Sequence, residues 1–293
     1  SWTRSELSAG VVGVPEGARR TARSRRRAQE NQPIDAQGNR RLGRHAGAGP
    51  TTVRHVLVAA ALVPPTALLV PGAAGRAEVL EAELVAVAAA VRTLVAAGSD
   101  RVVVIVPGRL DVVERPASDL RPTLVAAGVS DRWTPLRPDG PAGAATPGST
   151  VDDVAGAVGL RLLPRSGWRG PTSLVGAAEP DRAQAALTRP DGVAVLLLGT
   201  GSARRGAHAA LAPEPDADEV DGAIAAWLAG GPDPERDRLD RHAASLAGPV
   251  RVLYRAAGGA LASTGVTESA PLGVTYLVAT WARVQHAREP GAA

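Results

Sequence analysis

The sequence predicts an α/β fold: a single domain with a mostly parallel central sheet, helices on both faces and a C-terminal pair of antiparallel strands. Three uncharged apolar runs carry this prediction, at residues 56–63, 102–106 and 193–198. Runs without alternating polar residues are typical of strands buried on both faces, which occur where helices cover both sides of a parallel sheet. An amphipathic helical pattern at 76–97 joins the first two runs, as in a right-handed strand–helix–strand crossover.

The remaining elements follow from periodicity and from turn residues. The first strand ends at Pro64-Pro65, and Gly98 ends the first helix. Clustered Pro and Gly predict a loop at 135–149. Apolar spacing predicts helices at 117–127, 150–163, 181–187, 216–229, 234–246 and 250–257, and antiparallel strands at 260–267 and 273–281.

Composition excludes several kinds of site. There is no cysteine among the 293 residues, which excludes disulfides, thiolate metal centres and a cysteine nucleophile. No apolar stretch approaches the roughly 18 residues of a membrane span, and no apolar segment follows the N-terminal charges as in a secretory signal. We therefore expect a cytoplasmic protein that has no membrane partner.

The basic character of the chain is concentrated at its N-terminus. Residues 1–54 carry eleven arginines and four acidic residues, with few large apolar side chains. Such a segment predicts a disordered tail. The Arg-rich run at 23–27 is the only indication of nucleic-acid binding. The alternatives are a solvated tail or a start assigned too far upstream, with Val53 as the natural beginning. We divide the chain into this tail, a domain at 55–286 and a C-terminal tail at 287–293.

The loop after the third apolar run is the main candidate for chemistry. Its sequence, Gly199-Thr200-Gly201-Ser202-Ala203-Arg204-Arg205, resembles a dinucleotide-binding loop. Two features argue against that reading: Arg204 occupies the third glycine position, and no amphipathic helix follows at once. Ser202 also lacks the glycine spacing of a nucleophile elbow.

Histidine is scarce, and no cluster of metal ligands is evident in the sequence. Of His45, His55, His208, His242 and His286, only His208 follows the carboxyl end of a predicted strand. Metal sites need several converging ligands, so each histidine is expected at the surface. Asp152-Asp153 is expected to cap a helix.

Four stretches in a fixed order resemble the class III extradiol ring-cleavage dioxygenase superfamily, in its actinobacterial subunit-B-like branch. They are residues 57–72, 99–108, 193–205 and 270–281, and together they span nearly all of 56–281. The resemblance implies an α/β fold. Active members bind Fe(II) through two histidines and a carboxylate and cleave catechol-type rings with O2, using open coordination positions for substrate and O2.

The chain departs from the family at the positions of these ligands. Pro65 and Gly108 stand where the family has histidine, Thr200 replaces its aspartate, and Ala203 replaces the histidine of a G-D-L-S-H motif. Pro, Gly and Ala side chains cannot coordinate iron. The resemblance therefore implies that the iron site is lost, and we assign no catalytic residue, no metal ligand and no cofactor.

Three functional hypotheses remain open at this point. The first is a protein that does not cleave rings and binds a small molecule or a protein partner in a cleft lined by Pro65, Gly108, Gly199, Thr200, Gly201, Ser202, Ala203 and Arg204. The second is an enzyme that uses this cleft differently, through Ser202, Thr200, Arg204 or His208. The third is nucleic-acid binding through the Arg-rich tail.

Overall fold

The computed structural model describes residues 56–75, 77, 79–110, 113–116, 119–134 and 149–284. The tails predicted at 1–54 and 287–293, and nearly all of the loop predicted at 135–149, lie outside these residues. The described residues belong to one compact unit.

Nine strands and six helices are formed by the described residues. The strands are β1 (Val56–Val63), β2 (Arg101–Val106), β3 (Val113–Pro116), β4 (Leu120–Pro122), β5 (Ser149–Val151), β6 (Pro171–Gly176), β7 (Gly192–Leu198), β8 (Leu261–Ser269) and β9 (Tyr276–Arg283). The helices are α1 (Glu81–Ala96), α2 (Val154–Arg165), α3 (Pro180–Leu187), α4 (Ala217–Leu228), α5 (Arg236–Arg241) and α6 (Ala247–Ala257).

Seven strands form the central sheet, in the order β3-β6-β2-β7-β1-β9-β8. The four middle strands β6, β2, β7 and β1 are parallel. The strand β3 is antiparallel to β6, and the C-terminal pair β8 and β9 is antiparallel and joins the sheet beside β1. Short strands β4 and β5 pair with each other in a separate sheet. The predicted fold class is confirmed.

Helices cover both faces of the sheet, and alternate side chains of each buried strand pack in two separate cores, one on each face. On β2, Val102, Val104 and Val106 pack in a core that includes residues of α1 and α2. The intervening Val103 and Ile105 pack in a core that includes residues of α3, α4 and α6. A strand with two buried faces has no polar side, which explains its uniformly apolar sequence.

Five sequence predictions about single elements need correction. The helix predicted at 76–97 begins at Glu81, directly after Leu80 in a left-handed conformation (φ 60°). The helix predicted at 117–127 is wrong, since residues 120–122 form β4 and residues 125–127 form a 3-10 turn. The helix predicted at 150–163 begins at Val154, after β5. The helix predicted at 234–246 is limited to 236–241, because the chain reaches a left-handed conformation at Ala243 (φ 52°). The strand predicted from 273 begins at Tyr276.

The strand β6 was not predicted from the sequence at all. Thr172 and Ser173 interrupt its apolar pattern, although both are buried. Thr172 Oγ1 accepts a hydrogen bond from the indole Nε1 of Trp168 at 3.1 Å. A buried hydroxyl with a partner is tolerated in a core strand, but it removes the uninterrupted apolar run by which the other strands were identified.

Among the helices that the structure describes, none combines the length and apolar character needed to cross a membrane.

Gly199, directly after β7, lies where the sheet closely approaches the start of α6. A Cβ atom at this position would lie 2.4 Å from the Cα atom of Leu246 and 2.8 Å from its backbone nitrogen. Backbone atoms cannot move aside by a rotamer change. We expect Gly199→Ala to lower the free energy of unfolding by about 1–3 kcal/mol or more, as overpacking does, measured by urea denaturation.

The matched control is Gly222→Ala on the exposed side of α4, where an added Cβ would meet nothing within 4 Å. Alanine is the better helix former there, so this variant should gain roughly 0.5–1 kcal/mol. Equal effects of the two substitutions would contradict the close approach at Gly199.

Candidate functional site

The residues expected to line a cleft follow three strands that are neighbours in the sheet. Pro65 follows β1, Gly108 follows β2, and residues 199–204 follow β7, which lies between these two strands. Because β1, β2 and β7 are parallel, all three loops leave the same carboxyl edge of the sheet. Ligands of open α/β sheets bind at such an edge.

Solvent exposure divides these residues into three groups. Gly199, Gly201 and Ser202 are buried, whereas Gly108 is exposed. The others are half-buried, namely Pro65, Thr200, Ala203 and Arg204.

The loop at 199–205 uses all of its backbone N–H groups within the protein. Each of the seven donates a hydrogen bond of 2.8–3.2 Å: Gly199 to Val63 O, Thr200 to Ser245 Oγ, Gly201 to Thr275 O, Ser202 to Asp221 Oδ1, Ala203 to His242 O, Arg204 to Ser202 Oγ and Arg205 to Gly273 O. A phosphate-binding loop or an oxyanion hole needs backbone N–H groups that point at the ligand. In this loop none of the seven is free for that purpose.

The two glycines of the loop admit other parts of the chain rather than a ligand. At Gly199 the space of a side chain is taken by Leu246, and at Gly201 it is taken by Asp221 Oδ1 at 2.8 Å and by Thr275 Cβ at 3.0 Å. The glycines of a dinucleotide-binding loop instead let the backbone approach a pyrophosphate. The contacts of Gly199 and Gly201 support the sequence argument against nucleotide binding.

A serine, a histidine and an aspartate form a continuous hydrogen-bonded series behind the loop. Ser202 Oγ lies 3.1 Å from His242 Nδ1, and His242 Nε2 lies 3.1 Å from Asp216 Oδ1. If the ionised carboxylate of Asp216 accepts from Nε2–H, then Nδ1 is the acceptor for the hydroxyl of Ser202. The carboxylate also accepts hydrogen bonds from Arg238, at 3.2 and 3.3 Å.

His242 corrects the expectation that every histidine is at the surface. It is only 2% exposed. It lies directly after α5, and its backbone carbonyl accepts the N–H of Ala203. Burial of the ring is tolerated because both of its nitrogens have hydrogen-bond partners, Ser202 and Asp216. Both partners are distant from His242 in sequence. His208, the histidine favoured by sequence position, is exposed.

The order Ser–His–Asp is that of a catalytic triad, but this serine is enclosed. Ser202 has no exposed surface, and its Oγ already accepts the N–H of Arg204 at 3.1 Å. A nucleophilic serine needs an approach path for an acyl group and nearby free donors for the oxyanion. The series instead connects the β7 loop to the segment after α5.

Electrostatics at the outer end of this series favour an ionised carboxylate. Desolvation opposes ionisation of Asp216, but the hydrogen bond from Arg238 and the charge of its guanidinium lower the pKa of Asp216 below its usual value. Arg238 also forms an ion pair with Glu219, with 3.0 Å between Nη2 and Oε1.

A buried carboxylate lies on the other side of the loop. Asp221 of α4 is fully buried; its Oδ1 accepts the N–H of Ser202 at 2.8 Å, and its Oδ2 accepts the hydroxyl of Thr275. Desolvation raises the pKa of Asp221, against these two hydrogen bonds and the charge of Arg205. The loop is thus held between Asp221 on one side and His242 on the other.

The two arginines of the loop are also engaged within the protein. Arg204 donates from Nε to Arg241 O at 2.6 Å and from Nη1 to Ala212 O at 2.8 Å. Arg205 contacts three acidic residues, namely Asp218 at 2.6 Å, Glu268 and the buried Asp221 at 3.9 Å. These contacts hold the segment after β7 against α4 and β8.

The donor set at this edge does not fit iron. Pro65, Gly108 and Ala203 have no ligating side chain, and the hydroxyl of Thr200 lies 3.0 Å from Ser245 Oγ. Within the described part of the chain, no group of three or more His, Cys, Asp or Glu residues could hold a metal ion. His45, His55, His286 and the Arg-rich run at 23–27 lie outside that part.

Sequence reasoning missed most of the residues that support the loop. Asp216, Asp221, His242 and Thr275 are 14 to 73 residues from Ser202 and belong to no recognisable spacing motif. The sequence did carry one signal, since Asp216 and Asp221 stand at and within a predicted amphipathic helix, five residues apart. It gave no indication that one of these carboxylates is buried.

Comparison with known proteins adds little at this point. No protein-family model matches the chain, and no curated protein matches it. Among solved structures, one similar chain is an uncharacterized protein from Escherichia coli K12, which is 16% identical over 76% of this chain and 99% of that chain, with a TM-score of 0.40. A likeness at this level carries no argument about function.

The buried carboxylate of Asp221 predicts a pH-dependent contribution to stability. Because its pKa is raised in the folded state, the folded chain binds more protons than the unfolded chain between about pH 3.9 and the folded pKa. Its contribution to the free energy of unfolding therefore falls as the pH rises through this window. Asp221→Asn removes this contribution, so the stability difference between variant and wild type should grow in favour of the variant from pH 4 upward, as measured by urea denaturation.

Asp221→Ala is the companion variant. It leaves the buried N–H of Ser202 and the hydroxyl of Thr275 unpaired, and should lose about 2–4 kcal/mol near pH 4. Because this variant also lacks the ionisable carboxyl, the loss relative to wild type should shrink as the pH rises, in parallel with the change seen for Asp221→Asn. A pH-independent difference between Asp221→Asn and the wild type would contradict the burial of an ionisable carboxyl.

Proposed function

We propose that this chain is an extradiol-dioxygenase-like protein that does not cleave rings and acts as a small-molecule-binding or scaffold protein. The proposal rests on the resemblance of four stretches to the class III extradiol superfamily. Its decisive support is that the loops at the carboxyl edge carry Pro65, Gly108, Thr200 and Ala203 where active members hold iron. These residues offer no imidazole and no carboxylate at the positions where Fe(II) chemistry would need them.

The hydrogen bonding of the β7 loop weighs against a new catalytic role. A repurposed enzyme would need an accessible nucleophile or an acid–base group within reach of substrate. Ser202 is buried, Arg204 is bonded to two backbone carbonyls, and His208 is exposed without a hydrogen bond or ion pair among the described residues. The second hypothesis therefore finds little support in these three side chains.

The distribution of aromatic rings also weighs against a catechol site. Trp227, Tyr254 and Trp281 stack edge-to-face with each other, with ring centroids 5.7 and 6.2 Å apart, on the face of the sheet covered by α3, α4 and α6. Trp168 is buried on the opposite face. None of these rings is free to stack on a planar substrate at the carboxyl edge.

The experiment that tests this proposal measures iron and ring cleavage on the same sample. The full chain is purified without chelator, incubated anaerobically with Fe(II), desalted and analysed for metal content. Oxygen uptake is then followed with catechol as the probe. We expect only trace iron and no catechol-dependent oxygen uptake above that of the buffer.

Near-stoichiometric iron together with catechol-dependent oxygen uptake would overturn the proposal. In that case the same measurement on His208→Ala and on His242→Gln would show which imidazole binds the metal. His208 is exposed after β7, whereas His242 is enclosed behind the same loop, so the pair separates a surface ligand from a buried one.

A further inference from the structure

A cavity of about 250 Å³ lies between α1, α2 and the segment that follows β1. Its wall on α1 is a single helical stripe of Leu84, Val87, Ala88, Val91 and Arg92. Leu162, Arg165 and Ser166 line it from the C-terminal end of α2, and Leu69 and Pro71 close it from the segment after β1. The cavity lies against the apolar core on one face of the sheet, and the loop at 199–205 does not contribute to it.

The cavity combines apolar walls with two cationic side chains. Leu69, Leu84, Val87, Val91 and Leu162 supply hydrocarbon surface. Arg92 and Arg165 belong to the lining and are exposed to solvent. Among the residues that the structure describes, neither guanidinium has a hydrogen bond or an ion pair, in contrast to Arg161 one turn earlier, which is buried and bonded to Asp131.

We infer that this cavity binds a small amphipathic anion, with its tail between α1 and α2 and its carboxylate or phosphate head at Arg92 and Arg165. Two arginines match an anionic head because their planar donors form charge-assisted hydrogen bonds with its oxygens. The apolar stripe of α1 does not suit a purely ionic ligand, because removing hydrocarbon surface from water lowers the free energy only when it is buried against another apolar group.

The size of the cavity limits the ligand. Its volume is slightly below the roughly 300–1,000 Å³ of sites for drug-sized molecules, and corresponds to about eight water molecules. A medium-chain carboxylate or alkyl phosphate of about eight carbons suits this space, whereas a long-chain lipid or a dinucleotide does not. The inference rests on the small-molecule-binding part of the proposed function, and it gives that role a ligand class and a location.

The test is titration of the full chain with sodium octanoate, followed by calorimetry and by amide chemical shifts. Octanol has the same tail without the charge, and octyl phosphate distinguishes a phosphate head from a carboxylate. We expect saturable binding of octanoate or octyl phosphate, binding of octanol at least about tenfold weaker, which is the loss of one charge-assisted hydrogen bond, and shifts concentrated on α1 and α2.

Four variants locate the site. Arg92→Gln and Arg165→Gln should each raise the Kd at least about tenfold for the same reason. Ala88→Leu should abolish binding by filling the cavity from the half-buried side of α1. Arg236→Gln, an exposed arginine on α5 that does not line the cavity, should leave the Kd unchanged.

The inference is overturned if neither anion saturates, if octanol binds as tightly as the anions, or if Arg92→Gln and Arg165→Gln behave like Arg236→Gln. Shifts confined to residues outside α1 and α2 would overturn it as well, and this readout needs no variant. The outcome is separate from that of the iron measurement, because an iron-loaded, ring-cleaving protein would contradict the proposed function without changing the affinity of this cavity.

Discussion

The hydrogen bonding of the loop after β7 is the constraint on which the rest of the carboxyl edge depends. All seven backbone N–H groups of residues 199–205 donate within the protein, to β1, α4, the segments before α6 and β9, and the loop itself. The loop follows β7, which lies between the parallel strands β2 and β1, at the edge where an open α/β sheet would place a ligand. Here that position is occupied by the protein's own acceptors.

Two carboxylate-containing networks hold this loop, and they differ in burial: Asp216 is half-buried, whereas Asp221 is fully buried. On one side, Asp216 is stabilised as an anion by Arg238, which lowers its pKa. On the other side, burial of Asp221 raises its pKa while its oxygens accept from Ser202 and Thr275. Buried polar groups in a low dielectric are costly when unpaired and rigid when fully paired. Their complete pairing fixes the loop in one conformation.

A fixed, fully paired loop has a consequence for function. Catalysis needs groups with unused hydrogen-bonding capacity aimed at the reacting atoms. The seven backbone N–H groups of the loop at 199–205 all donate within the protein instead. The α1–α2 cavity shows the opposite character, with apolar walls and two arginines that have no acidic partner among the described residues. Among the described residues, apolar surface and arginines without an acidic partner are therefore combined at the α1–α2 cavity rather than in the loop at 199–205.

The sequence predicted the parts of the fold that depend on uniform apolar character. The strands β1, β2 and β7 were identifiable because each is buried on both faces. The strand β6 was not, because Thr172 and Ser173 interrupt its apolar run, and only the folded structure shows that both are buried. The site was less predictable for the same reason: Ser202 is adjacent in space to His242, 40 residues away, and to Asp221, 19 residues away.

Hydrogen exchange at the amide of Ser202 tests most directly whether the loop after β7 is held in one closed conformation by its hydrogen bonds. This N–H donates to the buried Asp221 Oδ1 at 2.8 Å, within a loop whose other amides are also bonded. If the network is closed, this amide exchanges only through global unfolding, and its exchange free energy equals the free energy of unfolding from denaturant titration. Exchange as fast as that of an amide in the exposed turn at Gly206 would contradict the account, because it would show that the loop opens locally.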